Sequence, residues 1–185
     1  MGMPDTARRY TMEEVLAFPP DGNRYELVAG ELLVTPAPSQ GHQGVVTALL
    51  AALHGYLADW RSVARVFAGP ADIFWSQDDY VQPDIVVVPS DQVTGDWRDC
   101  RTLLLAIEVV SPSSARYDRV TKRRLYQRQG VVTCWVVDPD ARVVEVWHPA
   151  DERPIVVTEL LTWQVQAGAP ALRIELDAVF RAAEP

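Results

Sequence analysis

Glu108 stands inside an apolar run, Leu103-Leu104-Leu105-Ala106-Ile107-Glu108-Val109-Val110, and Asp84 opens another, Asp84-Ile85-Val86-Val87-Val88, directly after Pro83. A carboxylate in such surroundings is unfavourable unless it is paired or coordinates a metal ion. The bland alternatives are a strand-end aspartate capping a turn for Asp84 and a salt bridge to one of the many arginines for Glu108. Two carboxylates on adjacent strands, offering oxygen donors alone, suit Mg²⁺ or Mn²⁺ better than zinc. A cation follows them. Sixteen of the 17 basic residues are Arg, and the single lysine is Lys122. An ammonium is a compact charge whose pKa moves readily, whereas a guanidinium stays planar and charged. The alternative for Lys122 is chance survival of a surface lysine.

The elements that must position these groups are readable from apolar spacing. Residues 1–23 form a lead-in, in which Thr11-Met12-Glu13-Glu14 has the pattern of a capping box opening a short helix. Tyr25–Val28 and Glu31–Thr35 flank Ala29-Gly30 as a hairpin. From His42 to Trp60 the apolar spacing is helical. Residues 63–67 and 71–75 read as strands. The runs 84–88, 103–110 and 131–137 are apolar throughout, which is the pattern of strands covered on both faces. Ser113–Gln129 reads as a helix with Gly130 as its left-handed cap. A strand, this helix and a further buried strand make a crossover unit with parallel strands. Segments 142–148 and 154–161 alternate Val with polar residues and predict an antiparallel extension. The expectation is one α/β domain over 1–185, a mixed β-sheet flanked by helices.

Asp118, Lys122 and Tyr126 are four apart and share a helix face. That helix carries a net charge of +5, against −13 for the rest of a chain whose total is −8. One reading is a solvated face with an internal Asp118–Lys122 pair; the other is a basic stripe beside the two acids, where a phosphodiester would lie. The acidic total argues against coating nucleic acid by bulk charge. Hydrophobic residues at 48% and charged ones at 23% exclude a disordered chain. No apolar run reaches the roughly 20 residues of a membrane span, no secretory signal is readable, and two cysteines make no disulfide framework. A reduced, cytoplasmic setting is expected.

Tyr25-Glu26-Leu27-Val28-Ala29-Gly30-Glu31, Ser39-Gln40-Gly41-His42, Pro83-Asp84, Glu108-Val109-Val110-Ser111-Pro112-Ser113, Asp118 through Lys122 to Tyr126, and Trp135-Val136-Val137-Asp138-Pro139 occur in that order. In this the chain resembles the Uma2 family of endonucleases, part of the restriction-endonuclease-like superfamily named for its Pro-Asp…Asp/Glu-x-Lys signature. The resemblance covers residues 24–149. It implies a restriction-endonuclease-like α/β fold, with Asp84 as the signature aspartate and Glu108 as the second acid, both holding Mg²⁺ or Mn²⁺. The backbone carbonyl of Val109 is a further ligand in that scheme. The superfamily pattern places its lysine two residues after the second acid, where this chain has Val110; Lys122 matches the displaced position. Glu26 or Glu31 would join the metal site, and His42 would contact phosphate or cap its helix. Tyr126 would support Lys122 or pack on the sheet.

The function implied is Mg-dependent hydrolysis of DNA phosphodiester bonds, with DNA as substrate and no membrane partner, in a chain that could act as a homodimer. The alternative is a non-catalytic nucleic-acid-binding or protein-interaction module of the same fold. No glycine-rich phosphate loop supports nucleotide binding.

Overall fold

The computed structural model describes residues 8–184; positions 1–7 of the predicted lead-in and Pro185 lie outside the described residues. In chain order the strands are β1 (Arg24–Val28), β2 (Glu31–Thr35), β3 (Ala64–Ala68), β4 (Ile73–Phe74), β5 (Tyr80–Val81), β6 (Ile85–Pro89), β7 (Leu105–Val109), β8 (Cys134–Asp138), β9 (Val143–Trp147), β10 (Ile155–Val157), β11 (Leu160–Trp163) and β12 (Leu172–Glu175). The α-helices are α1 (Met12–Leu16), α2 (Gln40–Leu57), α3 (Arg123–Arg128) and α4 (Leu176–Arg181).

The central sheet runs β10-β9-β8-β7-β6-β3. Its one parallel pair is β7 with β8, the pair joined by the predicted crossover. The continuous apolar runs are explained by cover on both faces. Leu105, Ile107 and Val109 face a core built with α2, while Ala106 and Val110 face a second core that includes Leu125 and Tyr126 of α3. Glu108 belongs by alternation to the second face. The antiparallel register of β6 on β7 pairs Ile85 with Ile107, so one further step sets Asp84 opposite Glu108 on that same face.

A smaller sheet, β2-β1-β5-β4, covers the second core with Val28, Leu33, Ile73 and Val81. The β1–β2 turn matches its sequence: Ala29 and Gly30 both have positive φ, 51° and 76°, as a two-residue turn of this hand requires. Residues 154–161 are not one strand as predicted. The segment divides into β10, which lies on β9, and the start of β11, which pairs with β12 in a separate hairpin. Ile155 and Val156 are exposed while Leu161 and Trp163 enter the α2 core, so the alternation spans two burial environments.

The predicted helix 113–129 contains a π-helical segment at Tyr117–Lys122 before α3, and it ends at Gly130, φ 70°, with Val131 N–H on the Tyr126 carbonyl. In a plain α-helix each four-residue step overshoots by about 40°. The wider turn absorbs an extra residue and keeps Asp118, Lys122 and Tyr126 all facing inward, where all three are buried.

The N-terminal turns of α2 lie against the end of α4. A Cβ on Gly44 would stand 1.9 Å from the carbonyl oxygen of Ala182, and one on Gly41 2.9 Å from that of Ala183. Gly55, in the same helix, would meet nothing within 4 Å. Gly55→Ala is therefore expected to stabilise the chain by about 0.5–1 kcal/mol. Gly44→Ala, which must push the α4 backbone away, is expected to destabilise it by about 1–3 kcal/mol; urea denaturation of the two variants reads both signs.

Candidate active site

Three further elements meet where β6 begins and β7 ends. Strand β1 alternates so that Arg24 and Glu26 share a face, α2 brings His42 on its first turn, and the π-helical segment brings Asp118 and Lys122. All line a cavity of about 250 Å³ together with Asp84 and Glu108. Glu26, Asp84, Glu108, Asp118, Lys122 and His42 are all buried, and among the described residues they are the buried ionisable side chains other than Tyr and Cys.

Lys122 is the hub. Its Nζ lies 2.7 Å from Glu26 Oε1, 2.7 Å from Glu108 Oε1 and 3.8 Å from Asp118 Oδ1. Burial alone would lower its pKa, but Glu108, Glu26 and Asp118 together hold the ammonium above its usual range. Tyr126 donates its hydroxyl hydrogen bond to the same Glu108 oxygen. The tyrosine thus packs beneath the sheet, with Trp75 edge-on against its ring, and also fixes the acid.

Asp84 is held separately. Arg24 Nη1 donates to Oδ1 at 2.9 Å, while Val109 N–H at 2.9 Å and His42 Nε2 at 3.1 Å reach Oδ2. Burial pushes this carboxyl up; the His42 hydrogen bond and the charges of Arg24, His42 and Lys122 outweigh it and hold the pKa down to about 2. Glu108 goes the other way. Its burial, reinforced by Asp118, Asp84 and Glu26, raises it well above the carboxylate range in spite of Lys122. Burial likewise lifts Asp118, against Lys122 and a Ser114 hydrogen bond, to about 6. With every acid ionised, four carboxylates face the fixed cations Arg24 and Lys122, and two negative charges stay uncompensated.

Of the residues singled out from sequence, Asp84, Glu108, Lys122, Glu26 and His42 converge here. Glu31 does not; it is exposed where β2 leaves the hairpin turn. His42 does not cap α2, a role taken by Ser39; its Nε2 meets Asp84, while Nδ1 is buried without a partner among the described residues. The solvated Asp118–Lys122 face is also overturned, since both side chains are buried. Of the basic stripe, Arg116, Arg124 and Arg128 are exposed and stand outside the cavity lining. Arg119 turns to Asp138 and Glu145, Arg123 lies over the Trp147 ring, and Lys122 is the helix's one cation lining this cavity. Arg24 was missed, although its two-residue spacing from Glu26 in a strand was the signal that placed it on the same face.

The Uma2 family model, described as "Putative restriction endonuclease", matches residues 12–177. The chain belongs to the Uma2 family. No curated protein matches it. A solved structure described as "a putative nuclease belonging to DUF820 from Anabaena variabilis ATCC 29413" has the same fold: TM-score 0.76 at 22% identity, over 94% of this chain and 99% of that one. Uma2 membership supports a nuclease-like function acting on nucleic acid. No helix among the described residues is long and apolar enough to cross a membrane.

The acids give the Uma2 site a pH signature. Asp118, raised from 3.8 to about 6, contributes stability that is complete below its unfolded value and lost as pH rises through 6. Asp84, lowered to about 2, contributes above 3.8 and loses that contribution as pH falls toward 2. Asp118 alone should therefore add on the order of 2 kcal/mol of stability between pH 7 and about pH 4.5, with Glu108 acting in the same direction, before acid unfolding sets in. Asp118→Asn should reduce the rise by that share in urea titrations run across pH, leaving the part due to Glu108. Lys122→Met, which removes the cation and strands its acids, should cost about 3–5 kcal/mol at pH 7.

Proposed function

We propose that the chain is a metal-dependent endonuclease that hydrolyses DNA phosphodiester bonds. The observation that carries the reading is the convergence of Asp84, Glu108 and Lys122, distant in sequence, on one cavity. Among the described residues, no three His, Cys, Asp or Glu side chains are grouped as a metal cage. Mg²⁺ does not need one, because it keeps several waters and is usually held through one or two carboxylates.

The donors present fit that ion. A carboxylate offers about four acceptor positions; Asp84 uses three on Arg24, Val109 and His42, and Lys122 and Tyr126 both contact Glu108 through Oε1. Asp84 and Glu108 would hold the ion, with the Val109 carbonyl beside them, and the dication would match the two charges left uncompensated when every acid is ionised. When bound, Mg²⁺ lowers the pKa of a bound water and offsets charge developing at phosphorus.

The protein groups divide the remaining work. Lys122 stays protonated among its carboxylates, so it acts as a donor that orients the attacking water and steadies developing oxygen charge, and not as a base. Glu26 and Glu108 aim the ammonium, and Gln82 N–H fixes Glu26 Oε1 at 2.6 Å. His42 holds Asp84 in orientation.

Purified protein should nick supercoiled plasmid in Mg²⁺ or Mn²⁺ and lose that activity in EDTA. The near-isosteric Asp84→Asn and Glu108→Gln should each cut the rate by on the order of 10²-fold or more. Nicking that persists in both variants would sink the assignment. A chain that binds DNA but takes up no Mn²⁺ in calorimetric titration would instead be the non-catalytic module.

A further inference from the structure

Arg24 has a use that the acid cluster does not exhaust. Only Nη1 of its guanidinium is engaged, with Asp84 Oδ1 at 2.9 Å and the Gln82 carbonyl at 3.1 Å. Nε and Nη2 make no hydrogen bond among the described residues, and neither is a buried orphan. The side chain is 22% exposed, against 2% for Lys122, so it is the site's cation with access to solvent.

Its position is equally informative. A second cavity of about 230 Å³ lies beside the first, lined by Asn23, Gln43 and the Gly69-Pro70 turn. The two cavities share Arg24, Asp84 and the Pro36-Ala37-Pro38 wall. Gly69 sits hard against this floor, its N–H on the Asp84 carbonyl at 2.7 Å, with no room for a Cβ: one placed there would stand 2.3 Å from the Pro83 carbonyl oxygen. The groove therefore continues past the acids on the Arg24 side, and the second cavity brings amide side chains but no further carboxylate beyond Asp84.

We infer that Arg24 is a substrate-binding residue whose free guanidinium edge grips the phosphate next to the scissile one, with the second cavity taking the adjoining nucleotide of a DNA strand. A guanidinium fork matches two phosphate oxygens in a way an ammonium does not. The contact is compatible with the Asp84 bond, since the two uses fall on different nitrogens. This inference rests on the nuclease reading and adds the direction in which the strand leaves the acid centre.

The test is binding, measured in EDTA so that no cleavage intervenes, by fluorescence anisotropy of a short labelled single-stranded DNA over a series of salt concentrations. The wild-type chain is expected to bind with a salt dependence that Arg24→Gln reduces by about 0.7 in log–log slope, the share of one phosphate contact on a single strand, with roughly tenfold weaker binding at low salt. Arg24→Lys, which keeps the charge and loses the fork, should keep the slope and bind several-fold more weakly. A residue that merely held Asp84 in place would change thermal stability and leave the slope alone. Wild-type binding with unchanged slope and affinity in Arg24→Gln overturns the inference while leaving the nuclease reading standing. If that variant does not fold, wild-type affinity in Arg24→Lys overturns it equally. No DNA binding by the wild-type chain overturns the inference, while the nuclease reading stands or falls with plasmid nicking in Mg²⁺ or Mn²⁺.

Discussion

The Lys122 ammonium is almost wholly enclosed, and a charge so placed must be met on every side. Its partners come from three separate pieces of the fold: Glu26 from the small sheet, Glu108 from the central sheet, and Asp118 from its own helix. Satisfying one cation therefore dictates how the hairpin sheet, the central strands and the crossover helix sit together. The π-helical segment follows from the same demand, because it lets Asp118 and Lys122 look inward without breaking the α3 packing at Leu125 and Tyr126. The molecule's least replaceable contact thus lies in its most polar region.

That arrangement is poor as stabilisation alone. Buried ion pairs are seldom better than apolar residues of the same volume, and this cluster carries more carboxylates than cations. The surplus lifts Glu108 and Asp118 while Asp84, with its own cations and donors, stays ionised. Carboxylates pushed in opposite directions within one cavity are the pattern expected of a site kept for chemistry. Around it the fold is conventional, with apolar strands covered on both faces and glycine-permitted close contacts where α2 meets α4.

The charge balance of the chain also changes meaning. A +5 helix in a −8 chain suggested a basic strip for nucleic acid, yet Arg119 clamps Asp138 and Glu145, Arg123 lies on Trp147, and the exposed Arg116, Arg124 and Arg128 stand outside the cavity lining. Positive charge at the cavity comes from Lys122, sealed among acids, and from Arg24, which remains partly open. An acidic body with two placed cations favours a chain that engages a phosphodiester at one point over one that coats a duplex by bulk attraction.

Much of this was written locally. A carboxylate interrupting an apolar strand, an aspartate opening another and a lone lysine four residues from an aspartate are visible without a structure, because burial periodicity and residue chemistry are properties of neighbours in the chain. So are the Ala29-Gly30 turn, the Thr11 capping box and the Gly130 helix end. What only the tertiary structure decided were relations across long separations: that Arg24 reaches Asp84 over 60 positions, that His42 serves Asp84 and not its own helix end, that Glu26 and not Glu31 meets the lysine, and that β10 and β11 part company. Local pattern says which face of an element is buried, but which other element covers that face is set by pairing and packing of the whole chain. The sequence by itself marked which side chains could do chemistry, and the fold decided which of them share a site.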